Sequence, residues 1–124
     1  MCKSQVFAFP SIREFGGGVV LEAMALGLVP LIVDYAGPAE LVTNTTGIKV
    51  PIAERAVIVH AFRQQLTSWV NAPEALPLLS SAAKKRVMEL YTWEAKARQV
   101  SEVYRWVLGQ RPDKPDFQLI EGRK

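Results

Sequence analysis

Two carboxylates bracket a run of three glycines. Glu14 stands before Phe15-Gly16-Gly17-Gly18-Val19, and Glu22 follows Glu14 by eight residues. Consecutive glycines between a strand and a helix let the backbone approach a ligand closely. They also leave the first N–H groups of the helix open to an anion, which the helix dipole favours. A phosphate or pyrophosphate at Gly16–Val19 is the chemistry this suits. The run is not a P-loop, since no Gly-Lys-Ser/Thr follows it. It also fits the G-x-G-x-x-G dinucleotide fingerprint poorly, because Val19 takes the third-glycine position. Glu22 lies among Leu21, Ala23 and Met24, in a segment that reads as core. A carboxylate there is costly unless its oxygens find donors. Vicinal sugar hydroxyls would serve, and so would a backbone N–H or a Lys or Arg partner; the same alternatives hold for Glu14.

The flanking elements follow from pattern. Gln5–Phe9 is β-rich, apolar on both faces, and stops at Pro10-Ser11, so it reads as a strand covered on both sides. Val19–Leu28 carries good helix formers, with Gly27 as its stop. Val29–Asp34 is a second buried strand with Pro30 at its entry, where no ladder bond is lost. Tyr35–Glu40 is a loop whose Pro38 opens a short helix, and Ile48-Lys49-Val50 is a third strand ended by Pro51. Beyond it the chain reads as helical. Val57, Ile58, Ala61, Phe62, Leu66 and Trp69 share one face, and a second helix runs from about Pro77 to Tyr91. Thr92 is an N-cap for a third, with Val100, Val103, Tyr104 and Val107 facing inward. The order predicts an α/β domain, a Rossmann-like open parallel sheet followed by a helical C-terminal half. Such sheets bind ligands outside the carboxyl ends of their strands, which brings the loops after Phe9 and Asp34 to one rim.

Composition removes other classes. The chain has 124 residues, 49% of them apolar, with 15 basic and 12 acidic side chains, one His and one Cys. That excludes a disordered chain, a disulfide framework and a Cys/His zinc site. Residues 1–83 hold five basic against six acidic residues, or −1; residues 84–124 hold ten against six, or +4. The basic residues of that second part interleave with Glu at helical spacing, so Lys84-Lys85-Arg86 reads as a solvated helix face rather than a nucleic-acid patch. The longest apolar run, Ala23 to Val33, is eleven residues and too short to span a membrane. No signal peptide is visible, and a cytoplasmic location is expected; membrane association is not indicated. His60 reads as a surface histidine, Trp69, Trp93 and Trp106 as packing residues, and Arg13 as exposed or salt-bridged. Cys2 lacks a nearby base and is no nucleophile candidate.

The stretch from Pro10 to Ala25 resembles the E-x7-E motif of the retaining nucleotide-sugar glycosyltransferases of group 1, also called family 4. The surroundings match in order: Pro10-Ser11, Glu14 and Glu22, then Glu22-Ala23-Met24-Ala25 and Gly27 to Pro30. Gly37-Pro38-Ala39-Glu40 resembles that family's Gly-x-P-E turn, Thr46–Val50 its T-G-x-x-V strand, and Tyr91–Glu94 its aromatic-Ser/Thr-Trp-Glu helix start. The resemblance covers about residues 5–108. It implies part of the C-terminal, donor-binding domain of a two-domain GT-B enzyme, with 1–108 as partial domain; after it, the alternation of Pro and charge over Arg111–Asp116 reads as a flexible tail, 109–124. It further implies a nucleotide-diphosphate sugar as donor substrate, no cofactor and no obligatory metal. Glu22 would take the ribose hydroxyls, and Glu14 those of the transferred sugar as the catalytic-site residue. Phe15, Gly16, Gly17, Gly18 and Val19 would lie along the diphosphate and sugar. One departure stands out: the family commonly reads Glu-Gly-Phe-Gly, whereas here the aromatic follows Glu14 directly. The family's cationic pair and acceptor domain fall on earlier chain absent from these residues. The expected partners are therefore a missing N-terminal domain or a second copy at an exposed strand edge, with no nucleic acid. The isolated chain is expected to be inactive; the alternatives are a non-catalytic scaffold subunit derived from a glycosyltransferase, or a nucleotide-binding module of unrelated function.

Overall fold

The computed structural model describes residues 3–117, so Cys2 and the end of the expected tail lie outside the described residues. The chain divides into two compact units, Met1–Val87 and Met88–Lys124.

In the first unit, β1 (Val6–Phe9), β2 (Val29–Asp34) and β3 (Ile48–Pro51) form a parallel sheet in that order. Val6 pairs with Val29 and Phe9 with Ile32; Leu31 pairs with Ile48 and Asp34 with Pro51. Parallel neighbours need crossovers, and these are α1 (Gly18–Ala25) and α2 (Ala36–Leu41). α1 packs on β1 and β2, and α2 on β2 and α1. The opposite face gathers Val29, Leu31, Val33 and Val50 under Ile58, Phe62 and Trp69 of α3 (Arg55–Asn71) and Leu76 of α4 (Leu76–Leu90). Alternation along β2 assigns its residues to the two faces, and both are covered, so every β2 residue but Asp34 is buried.

β1 departs from its expected double cover. Phe7 and Phe9 are half-buried and stack at 5.4 Å, while Ala8 is exposed. The reason is topological: β1 is an edge strand, with no neighbour beyond it among the described residues. On α3, Val57 and Leu66 are exposed, because the face that meets the sheet narrows to Ile58, Ala61, Phe62 and Trp69.

α4 ties down the ends of the two crossover helices. Ser80 Oγ donates to the Gly27 carbonyl at 2.5 Å, and Arg86 Nε donates to the Leu41 carbonyl at 2.9 Å. Cations at a helix C-terminus satisfy orphan carbonyls and complement the dipole. Arg86 is thus a structural residue, half-buried where Lys84 and Lys85 beside it are exposed.

The second unit holds α5 (Trp93–Val107), with Thr92 Oγ1 accepting from the Ala95 N–H at 3.1 Å as the N-cap. Val100, Val103, Tyr104 and Val107 are exposed rather than inward-facing, and Trp93 is 89% exposed. Of the three tryptophans only Trp69 is buried. Helical periodicity marks an apolar stripe but does not say what covers it. Downstream, Arg111 Nη1 donates to Glu102 Oε2 at 2.7 Å, and Arg105 Nη1 donates to Glu102 Oε1. The Arg111 hydrogen bond, aided by the Arg105 charge, holds the Glu102 carboxyl below its ordinary value of 4.5. A depressed carboxylate contributes stability above its unfolded pKa and loses it as pH falls through the folded one. The Arg111 contact is therefore expected to persist at neutral pH and to open as pH falls through the lowered Glu102 pKa, with the Glu102 carboxyl carbon titrating below the ordinary glutamate value by NMR. A Glu102 titration at or above the ordinary glutamate value would contradict this.

Among the described residues, no helix is long and apolar enough to cross a membrane.

Candidate functional site at the carboxyl rim of the sheet

The loop from Pro10 to Gly17 leaves β1 at the carboxyl end of the sheet. Glu14 is half-buried, and its Oε1 accepts the Gly17 N–H at 3.2 Å. Gly17 sits at φ 71°, ψ 24°, a left-handed conformation that costs a side-chain-bearing residue about 1–2 kcal/mol. That turn aims the chain into α1 with no side-chain cap and no acidic residue in the first helical turn. The Gly17 carbonyl takes the Val20 N–H at 2.9 Å, so the helix begins at once. The result is an uncapped helix N-terminus whose lip, Gly16 and Gly18, is exposed. A Cβ built at either glycine would meet nothing within 4 Å.

Glu22 corrects the sequence-based placement. It is exposed, not hemmed in by core, and its carboxylate has no hydrogen bond or ion pair among the described residues. The periodicity explains this: Val20, Ala23 and Met24 turn into the core, while Gly18, Glu22 and Leu26 form the outward line at i, i+4 and i+8. Four residues of helix place Glu22 about 6 Å along the axis from Gly18, and helical side chains lean toward the N-terminus. Gly18 and Glu22 thus share one open strip. Val19 is half-buried at its side, and Phe15 is 95% exposed at the loop tip.

The second loop does join the first. A Cβ at Gly37 would collide with the Phe15 carbonyl oxygen and lie 3.0 Å from the Gly16 carbonyl carbon. A Cβ at Gly17 would lie 2.8 Å from Leu41 Cδ1 and 3.2 Å from Pro38 N. Only glycine permits so close an approach at Gly37. Asp34, at the end of β2, faces Lys49 Nζ at 3.6 Å, and that ammonium also donates to the Ala39 carbonyl at 3.1 Å. Asp34 is therefore a partner of Lys49. Arg13 is exposed, and its N–H donates to Ser11 Oγ at 3.3 Å. His60 is exposed on α3.

Sequence reasoning missed Tyr35 and Ala36. Tyr35 is 47% exposed on the same rim, and Ala36 holds φ at 51°, the one positive φ at a non-glycine residue among those described. A Gly-Pro pair closing a strand end signals a turn, but no local pattern says that an alanine before it is left-handed. Ala36→Gly removes the Cβ strain at some cost in chain entropy. It should raise the unfolding free energy by about 0.5–1 kcal/mol, read as a higher urea midpoint. A lower midpoint would show that the alanine methyl contributes packing instead.

The sequence model of the family described as "Glycosyl transferases group 1" matches residues 1–86. That span nearly coincides with the first compact unit. Curated relatives include proteins named sucrose synthase: one from Nitrosomonas europaea, 27% identical over 83% of this chain, and one from Melioribacter roseus, 31% identical over 77%. A third, from Acidithiobacillus caldus, is 29% identical over 81%. The aligned stretch covers 13%, 12% and 13% of those proteins respectively, so the chain spans about an eighth of the length of the curated relatives it matches.

Proposed function

Because the chain belongs to the group 1 glycosyl transferases, we propose that its carboxyl rim is the donor-sugar half of a retaining, family 4 GT-B active site. The observation that carries this is the open strip from Gly16 to Glu22: an uncapped helix N-terminus, then an unpartnered carboxylate one turn on. A nucleoside diphosphate has an anion and a vicinal diol at about that separation. The diphosphate would sit along the backbone of Gly16, Gly17, Gly18 and Val19, where the helix dipole and the N–H groups other than that of Gly17, which Glu14 holds, favour negative charge. Glu22 would accept from both ribose hydroxyls, as one carboxylate can.

Glu14 has a double role in this reading. Oε1 holds the loop through the Gly17 N–H, and Oε2, which has no partner among the described residues, would accept from hydroxyls of the transferred sugar beside Phe15. Charge developing on the leaving diphosphate would be stabilised by the helix N–H groups. Glu14 places a negative charge close to that anion, so cations supplied from other chain are needed for turnover. The curated relatives are named for making sucrose, which fits transfer of a sugar unit.

The missing cations belong to a partner. The free edge of β1 can accept another strand. Beside it runs an apolar groove of about 530 Å³, lined by Pro10 and by Val59, Phe62, Leu66 and Val70 of α3. The earlier part of a longer glycosyltransferase chain, or failing that a second copy, would cover both. The 124-residue chain alone is expected to bind nucleoside diphosphates weakly and to transfer no sugar, because positioning and charge neutralisation both need the partner. Incubation with a nucleotide-sugar and analysis of released diphosphate checks this. Sugar transfer by the purified chain would overturn the inactivity, and absence of any nucleoside diphosphate binding by calorimetry would overturn the donor-site reading. A non-catalytic scaffold subunit would retain the β1 edge and groove but show no ligand dependence at Glu22.

A further inference from the structure

We propose that Lys49 is a positioning residue for the lip of the candidate site: acting through α2, it fixes the Phe15–Gly17 backbone at the entrance to α1. This deepens the donor-site reading and rests on it for the identity of the ligand.

The first observation is a lysine where a covered strand favours an apolar side chain. Ile48 and Val50 of β3 pack toward α3. Alternation turns Lys49 to the other face of the sheet, which α2 covers. An ammonium there needs acceptors, and it has two. Its Nζ lies 3.6 Å from Asp34 Oδ1 and donates to the Ala39 carbonyl at 3.1 Å. Asp34 precedes the left-handed Ala36 and Ala39 follows it, so one side chain bridges both ends of the strained turn. The second observation is that α2 does not hold itself. It has six residues, too few for a helix to be stable alone. Tyr35 supplies no side-chain cap, and Pro38 has no N–H. Carbonyls of a last helical turn lack partners inside the helix, and here cations take them. Lys49 takes that of Ala39, and Arg86 takes those of Glu40 and Leu41 at 3.4 and 2.9 Å.

The third observation is what α2 presses against. A Cβ at Gly37 would collide with the Phe15 carbonyl oxygen, and one at Gly17 would lie 3.3 Å from Pro38 Cα. Main chain lies on main chain, with no flexible side chain between to absorb a shift. A displacement of α2 is therefore passed to the lip, including the Gly17 N–H that donates to Glu14 Oε1. Arg86 anchors the far end of α2, whereas the two oxygens that meet Lys49 flank Gly37 in the chain. Lys49 thus holds the stretch that touches the lip and need not touch the ligand.

The test follows hydrogen exchange at the buried Gly17 amide in the 124-residue chain. Lys49→Met keeps the stem and removes the ammonium. It should quicken Gly17 exchange about tenfold relative to the amides of β2, which report global unfolding. Lys49→Arg should restore the wild-type ratio. Asp34→Asn alters an exposed residue and so folds, and it leaves the Ala39 bond in place; it should quicken Gly17 exchange about twofold to threefold. Calorimetry with the diphosphates of uridine, adenosine and guanosine reads the consequence. The affinity of whichever binds should fall about fivefold in Lys49→Met, because a loosened lip must be ordered on binding, and recover in Lys49→Arg. Gly17 exchange that keeps its wild-type ratio to β2 in either Lys49→Met or Asp34→Asn overturns the proposal. So does lost affinity in Lys49→Met without faster Gly17 exchange, since the ammonium would then meet the ligand itself. If none of the three diphosphates binds the wild type while Lys49→Met still quickens Gly17 exchange, the donor-site reading falls and the positioning role stands.

Discussion

Glu22→Ala should weaken binding of a nucleoside diphosphate by between about tenfold and about a hundredfold, without moving the unfolding midpoint appreciably. The two halves of that expectation have separate origins. Glu22 is exposed, so its two hydrogen bonds to the diol exchange against water and contribute about 0.7–1.4 kcal/mol each, and their loss appears in the dissociation constant. Stability is spared because Glu22 is exposed and has no partner among the described residues, so its removal costs within about 0.5 kcal/mol. Calorimetric titration and urea denaturation of the same preparations read the two quantities. Unchanged affinity would remove the ribose assignment. A large loss of stability would instead give Glu22 a structural role that its exposure does not suggest.

Gly37→Ala should have the opposite signature, a loss of stability of about 2–3 kcal/mol with ligand affinity falling as a consequence. The added Cβ would collide with the Phe15 carbonyl oxygen and crowd the Gly16 backbone, and main-chain atoms cannot rotate away as a flexible side chain can. Relief requires the two loops to separate, which displaces the lip of the α1 N-terminus. Gly18→Ala is the control. A Cβ at Gly18 meets nothing, and alanine favours the helix, so stability should hold or rise slightly. Any fall in diphosphate affinity for that variant then reports a methyl group standing where the ligand approaches. Equal unfolding midpoints for the wild type and Gly37→Ala would show that the loops are not packed against each other.

Much of the architecture was legible from residue order. The strands at Val29–Asp34 and Ile48–Pro51 and the helix of Leu76–Leu90 fall within a few residues of where pattern places them. Thr92 caps α5 as its side chain requires. These features depend on neighbours within a turn or a strand. The convergence of the loops after β1 and β2 was also legible, because a parallel sheet with right-handed crossovers leaves both at one edge. Exposure was less so. Val100, Val103, Tyr104 and Val107 form a helical stripe that looks inward by periodicity and is exposed in the structure. Arg86 lies in a basic run that looks solvated, yet its guanidinium is bound to the end of α2.

For the site, the sequence by itself determined the separation of Glu14 and Glu22, the glycine run between them and the strand-to-helix context, since all three are local. Only the tertiary structure decided that Glu22 faces outward, that Glu14 spends one oxygen on Gly17, and that Gly37 lies against the Phe15 main chain. The physical reason is range. Helical periodicity places Glu22 on a face, but which face is buried depends on where the sheet lies. Contact between residues more than twenty positions apart depends on the crossover that brings them together.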